Sequence, residues 1–288
     1  MEHLCNISVI RDVFERHHFQ FSKTLGQNFL INPSVCPRIA EDGIRSPDFG
    51  VIEIGTGIGV LTNELAKRAK KVVAIEIDDR LLPILKETLA EYDNVKIIHA
   101  DVMKVDLKQL IAEEFPNMEV CVCANLPYYI TSPIIMTLLE QRLPIRSITV
   151  MVQKEAAVRL CAQPGSRECG AVTFAVRYYC EPKQLFPVSR GSFMPAPNVD
   201  SAVIRLEVKH QDSPLSAHEE FLFGVVKAAF SQRRKTLANP VSNVLGIPKS
   251  KITEALIKAG LKPSARAEEL TFEQWLSFAD LLLEIKES

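Results

Sequence analysis

The sequence predicts a doubly wound α/β fold followed by a small C-terminal helical domain. Three observations carry that expectation. Short apolar, β-branched runs recur at 51–54, 72–77, 95–98, 120–124 and 148–152. Most of them are separated widely enough to hold a helix, the alternation of a mostly parallel sheet covered on both faces. From about Leu206 the pattern changes to amphipathic helical stretches at 218–230, 250–260 and 272–286, joined by polar loops containing Pro214, Pro240, Pro248 and Pro263. The expected division gives residues 1–206 to an N-terminal segment and the sheet domain, and 207–288 to the helical domain.

Between the first strands the spacing is helical. Residues 60–69 (VLTNELAKRA) and 80–91 (RLLPILKETLAE) place apolar side chains on one face, with Pro83 in the first turn of its helix. At 288 residues and 47% hydrophobic composition the chain can bury a large core. No internal repeat or low-complexity tract interrupts it, so the two parts are expected to pack closely. No run approaches the roughly 18 uninterrupted apolar residues that span a bilayer, and the first 19 residues mix charges of both signs, unlike a signal peptide. A cytosolic protein without membrane contact is expected. The seven cysteines form no CxxC pair, and Cys121 and Cys123 alternate inside an apolar run as on one face of a buried strand. Neither a metal site nor a disulfide framework is expected.

The first strand, VIEI, runs directly into Gly55-Thr-Gly57-Ile-Gly59 and then into a helix. Such glycines let the backbone turn sharply and approach a ligand at the crevice where open α/β sheets bind cofactors. The turn alone suits a nicotinamide cofactor or a structural role equally well. The second strand ends near Glu76, whose carboxylate can accept both hydroxyls of a ribose. Asp101 follows the third strand, where a carboxylate can accept from an adenine amino group. Either acid could instead be a solvated strand end, but three successive strand ends carrying this set are less accidental than any one.

After the fourth strand comes Asn125-Leu126-Pro127-Tyr128. The lone pair of an arylamine is delocalised into its ring, so the amine attacks only when its protons are held by acceptors. The Asn125 side-chain oxygen and the Leu126 carbonyl can be those acceptors, Pro127 can fix the turn, and Tyr128 can stack on the ring. An isolated NxPY reads equally as an Asx-Pro turn. In register after the glycine turn, Glu76 and Asp101, it reads as an amine site.

The run from Phe21 to Asn32 (FSKTLGQNFLIN), with EIGTGIGVLT, IEID, ADV, NLPYYITSPI, VQKEAAVRL and SFMPAPNVDSAVIRL, resembles the ribosomal RNA adenine dimethyltransferase family over residues 20 to 240. GQNFL and NLPYxITxP are its specific motifs. The resemblance implies a Rossmann-like S-adenosylmethionine-dependent methyltransferase sheet and, within the family, closest likeness to bacterial enzymes that dimethylate two adjacent adenosines in a hairpin loop near the 3′ end of 16S rRNA. It implies that Asn28 and Leu30 close over the cofactor, Gly55 lies under its methionine part with Gly57 also among the cofactor-binding residues, Glu76 holds the ribose, Asp101 the adenine, and Asn125 both cofactor and amine. It also implies that Phe193 walls the target pocket opposite Tyr128. Thr56 stands where the family often has proline, and Ala238 where it often has arginine.

Despite a net charge of -1, no acidic residue occurs between Glu220 and Glu254, a stretch that carries Lys227, Arg233, Arg234, Lys235, Lys249 and Lys251. Such a stripe suits a phosphate backbone, although a solvated helix face could produce part of it. Lys154, Arg159 and Arg167 could extend it. A loop in structured RNA makes extrusion of an adenine cheap. The expected partner is 16S rRNA in the small ribosomal subunit, bound by a monomer. Competing readings are a 23S rRNA adenine methyltransferase of the resistance type, a ribosome-assembly factor with secondary methylation, and an NAD-dependent oxidoreductase.

Overall fold

A computed structural model describes residues 4–22, 26–209, 216–232 and 235–287. These fall into two compact units, one within 1–157 and 180–210, the other within 158–179 and 211–288. The second unit thus takes in residues 158–179 as well as the C-terminal stretch, beyond the single boundary at 206/207 that hydropathy suggested.

In the first unit the strands are β1 (Phe29–Leu30), β2 (Gly50–Ile54), β3 (Lys71–Glu76), β4 (Val95–His99), β5 (Val120–Asn125), β6 (Ile145–Gln153), β7 (Cys180–Val188), β8 (Phe193–Met194) and β9 (Ser201–Val208). β1 and β8 form a short antiparallel pair, and the other seven form one sheet in the order β4-β3-β2-β5-β6-β9-β7. β2 pairs in parallel with both β3 and β5, and β5 in parallel with β6, while β9 runs antiparallel to both of its neighbours. The five parallel strands expected from hydropathy are all present.

Helices α1 (Ile7–Arg16), α2 (Val35–Gly43), α3 (Val60–Ala66), α4 (Leu82–Thr88), α5 (Leu107–Glu114) and α6 (Thr131–Glu140) complete the first unit, with α7 (Lys154–Cys161) leading out of it. Pro83 sits at the start of α4, where its missing N–H is one of those the helix leaves unbonded. β2, β3, β5 and β6 are buried almost throughout, as parallel strands covered on both faces must be. The second unit contains α8 (Ala171–Tyr179), α9 (Ala217–Phe230), α10 (Ala238–Leu245), α11 (Lys249–Lys258) and α12 (Phe272–Glu287). Its core gathers Phe174, Trp275 and Phe278, with Phe174 stacked on Phe272 at 5.1 Å between ring centroids. Ser216 and Glu219 close a reciprocal capping box on α9. Pro240, expected in a loop, lies in the first turn of α10, the one helical position that tolerates a ring and a missing N–H. Among the described residues no helix is long and apolar enough to cross a membrane.

One charged side chain stands in the middle of the sheet. Glu53 of β2 is fully buried, and neither carboxylate oxygen has a hydrogen-bond partner. Burial pushes its pKa up to about 8, an effect that a nearby Thr62 hydroxyl offsets only in part and the Glu76 carboxylate reinforces. The fold therefore binds this proton more tightly than the unfolded chain does. Its stabilising share is complete below the ordinary value of 4.5 and is lost as the pH climbs through about 8. We expect the thermal midpoint to fall between pH 5 and pH 9, and Glu53→Gln to flatten that decline when both proteins are melted across the range. An unchanged slope would contradict the assignment.

Candidate functional site

The chain runs from β2 outward through β3 to β4, then returns to add β5 and β6 on the other side of β2. Strand order therefore reverses between β2 and β5, and a doubly wound sheet opens a crevice at the carboxyl ends of its strands at such a switch. A cleft lies there, as expected for a small-molecule site in such a sheet. The segment 26–30, the turn after β2, the end of β3 and the NLPYY loop after β5 line it.

At the turn, Gly57 holds φ at +59°, and a β-carbon there would press against the Phe29 ring. Gly55, at +76°, has only the Asn125 carbonyl oxygen near the side-chain position it lacks. Backbone thus forms the floor of the cleft on this side.

Glu76 ties the turn to β3. The Gly57 N–H donates to one carboxylate oxygen at 3.0 Å and the Asp78 N–H to the other at 2.9 Å. The side chain is 4% exposed, and burial raises its pKa against the pull of those N–H groups. Asp78 in turn accepts from the Arg80 guanidinium, which lowers its pKa, and from the Gln27 side-chain amide at 2.7 Å. Gln27 also accepts from the Ser22 N–H at 2.9 Å, so Ser22 and Gln27 are both anchored beside the end of β3. Behind them Phe14, Phe19, Phe21 and Phe29 pack ring against ring.

On the opposite side, β5 delivers Asn125 level with Met151 of β6, and the Leu126 N–H donates to the Met151 carbonyl at 3.2 Å. The Pro127 carbonyl then accepts from the Ile130 N–H and the Thr131 hydroxyl, each at 3.2 Å, closing the turn. Tyr128 is tied by its hydroxyl to Ser201 at 2.7 Å, while Tyr129 stands 61% exposed over Gly26.

Of the residues expected from sequence, Asn28, Leu30, Gly55, Gly57, Glu76, Asn125, Leu126, Pro127 and Tyr128 all line the one cleft. Asp101 and Phe193 are not in its lining. The Asp101 carboxylate caps the turn that follows it, accepting from the Met103 N–H at 3.0 Å. Phe193 is 3% exposed and pairs with Leu30 across the β1–β8 ladder, one strand behind the cleft wall. In the second unit Lys227, Lys235, Lys249 and Lys251 are all exposed, whereas Arg233 and Arg234 lie outside the described residues. Lys154, Arg159 and Arg167 are exposed too. Sequence reasoning missed Glu53, Gln27, Asp78 and Ser201. Glu53 had a signal, an acid inside an apolar strand, and Gln27 sits within the GQNFL motif, but a strand-end serine carries none.

The donor set suits a nucleoside with a cationic centre. Glu76 presents its carboxyl to the cleft, the glycine floor admits close approach, and the Glu53 carboxyl, without a hydrogen-bond partner, lies at the inner wall.

The profile of the ribosomal RNA adenine dimethylase family matches residues 18–284. The ribosomal RNA small subunit methyltransferase A of Anoxybacillus flavithermus is 50% identical over 279 residues, covering 96% of this chain and 95% of its own. Its counterpart in Geobacillus kaustophilus is 51% identical, covering 94% of each. Among solved structures, a dimethyladenosine transferase from Plasmodium falciparum is similar with a TM-score of 0.72 and 31% identity, over 90% of this chain and 98% of that one. The 23S rRNA methyltransferase ErmE follows with a TM-score of 0.66 and 30% identity, over 88% and 99%. With a cleft built at the switch point from the motifs that define the group, and a match spanning nearly its whole length, the chain belongs to the ribosomal RNA adenine dimethylase family.

Proposed function

We propose that the protein uses S-adenosyl-L-methionine to methylate the N6 amines of two adjacent adenosines in a hairpin loop near the 3′ end of 16S rRNA, within the small ribosomal subunit, and so takes part in subunit biogenesis. The observation that carries this reading is the meeting of the NLPY loop and the Glu76-tied glycine turn on one cleft. The names of the relatives support the small-subunit target.

When bound, S-adenosyl-L-methionine would supply an electrophilic sulfonium methyl group to the N6 amine and keep the S–CH₃ electrons on its sulfur, and the amine would shed a proton to solvent. The protein's part is placement. Glu76 accepts the ribose hydroxyls, Gly55 and Gly57 let the methionine part lie against backbone, and Asn28 and Leu30 close over it. Asp101 reaches the adenine. The Asn125 side-chain oxygen and the Leu126 carbonyl hold the amine protons, which localises the lone pair toward the methyl group. Pro127 fixes that carbonyl and Tyr128 stacks on the base. Phe193 acts at one remove, by setting Leu30 and the wall facing Tyr128. No strong base is required, so in-line positioning in a dry cleft supplies much of the acceleration.

Lys227, Arg233, Arg234, Lys235, Lys249 and Lys251 serve the RNA backbone in this reading. Lys249 and Lys251 stand in the first turn of α11, which has no acid, and cations there oppose the helix dipole. A helix that tolerates this cost is consistent with a phosphate ligand.

Radiolabelled methyl groups offered with purified subunits test the proposal. Label should enter the small subunit, and label confined to the large one, as the likeness to ErmE makes worth checking, would overturn it. Asn125→Ala should abolish methylation while leaving small-subunit binding intact, and an assembly factor with incidental methylation would keep its biogenesis phenotype in that variant. Glu76→Gln should weaken cofactor binding roughly 10- to 100-fold by calorimetry, the range for a hydrogen bond to a charged group. Neutralising Lys249 and Lys251 together should lower the slope of log affinity for RNA against log salt by about 2, about one per phosphate contact. An unaltered slope would remove this helix from the interface.

A further inference from the structure

The hydroxyl of Tyr128 does not face the cleft freely. It meets the Ser201 hydroxyl at 2.7 Å, within the ordinary range for two hydroxyls. Ser201 is fully buried at the first position of β9, level with Gln153 of β6 on one side and Val188 of β7 on the other. The residue before it is clamped as well. The Asp200 carbonyl accepts from the Lys154 N–H at 3.0 Å, and its carboxylate accepts from the Arg190 N–H at 2.9 Å. Ser201 is thus a fixed point of the sheet, whereas Tyr128 belongs to a loop.

We infer that Ser201 is a positioning residue for methyl transfer, holding the tip of the Tyr128 ring so that the ring stays beside the target base on which it stacks. The inference rests on the proposed role of Tyr128 and deepens it. A tyrosine hydroxyl lies on the axis of the outer ring torsion, so a bond to it fixes where the tip of the ring stands and with it the inner torsion. Pro127 restrains the backbone before the ring, so the ring is held at its base and at its tip. The geometry matters because a displacement of about 1 Å at a reacting group can cost on the order of 100-fold in rate. Burial raises the Tyr128 pKa, so the phenol stays neutral and the bond between the two hydroxyls persists across the working pH range. Ser201 touches neither base nor cofactor site, since it is absent from the cleft lining.

The bond can be cut from either end. Ser201→Ala and Tyr128→Phe should each lower kcat about tenfold, the weight of one hydrogen bond, with KM for small subunits and cofactor affinity little changed. The double variant should be no worse than either single one, and Ser201→Thr, which keeps the hydroxyl, should restore most of the rate. A 2-aminopurine at the target position should be quenched less by Ser201→Ala than by the parent protein. Parental kcat in Ser201→Ala, or effects of the two single variants that multiply, would overturn the inference. Should Ser201→Ala fail to fold, Tyr128→Phe and Ser201→Thr still report on the bond. A parent protein that methylates no rRNA adenine would instead remove the function on which the role rests, and with it the role.

Discussion

Everything on the cofactor side of the cleft depends on the bonding of one carboxylate. Glu76 receives two backbone N–H groups, one from the glycine turn after β2 and one from the chain leaving β3. A glycine-rich turn has many conformations to lose, and a charged acceptor in a buried setting is what selects one of them. Extending outward from the same point, Asp78 links the end of β3 to Gln27 and so to the N-terminal segment. The phenylalanine cluster beneath that segment gives it a non-specific hold, and the Gln27–Asp78 bond adds direction. Three pieces of chain distant in sequence are thereby placed around one cavity.

The same region keeps its charge low by an internal division. Glu53 and Glu76 both reach the cleft and both are buried, but only Glu76 has N–H donors. Burial raises the pKa of both, but at Glu76 the backbone N–H groups pull against that rise, whereas Glu53 has none and feels the Glu76 carboxylate as well. Glu53 therefore carries a proton near neutrality and behaves as a polar but uncharged wall.

Much of this was legible in the chain before folding, and the exceptions have physical causes. β2 to β6 announce themselves because strands buried on both faces must be continuously apolar, and the glycine turn, Glu76 and NLPY are legible because each follows such a strand. β7 is hidden by its polar residues and by Pro182 and Pro187, tolerable because it forms the edge of the sheet. α8, rich in valine, tyrosine and phenylalanine, fits a buried strand as well as a buried helix, which periodicity alone cannot separate. Pro240 concealed α10 because a proline breaks a helix interior yet is at home in its first turn. Asp101 and Phe193 show the other limit. A motif gives the position of a residue along the chain but not its bonds within the fold: the Asp101 carboxylate also caps the turn that follows it, and Phe193 pairs with Leu30.

The antiparallel strand explains why Ser201 could not be read from sequence and yet stands at the right place. In a parallel sheet the ligand edge collects strand ends, and functional residues follow their strands. β9 runs the other way, so its beginning rather than its end lies at that edge, with Ser201 level with Gln153 at the carboxyl end of β6. A residue that opens a strand would ordinarily belong to the far side of a doubly wound sheet. Reversing one strand brings it beside the NLPY loop, and the sheet itself, instead of another loop, then supplies the anchor for Tyr128. That arrangement ties the tip of Tyr128 to the sheet, and a side chain proposed to stack on the base is better tethered to a hydrogen-bonded strand than to another loop.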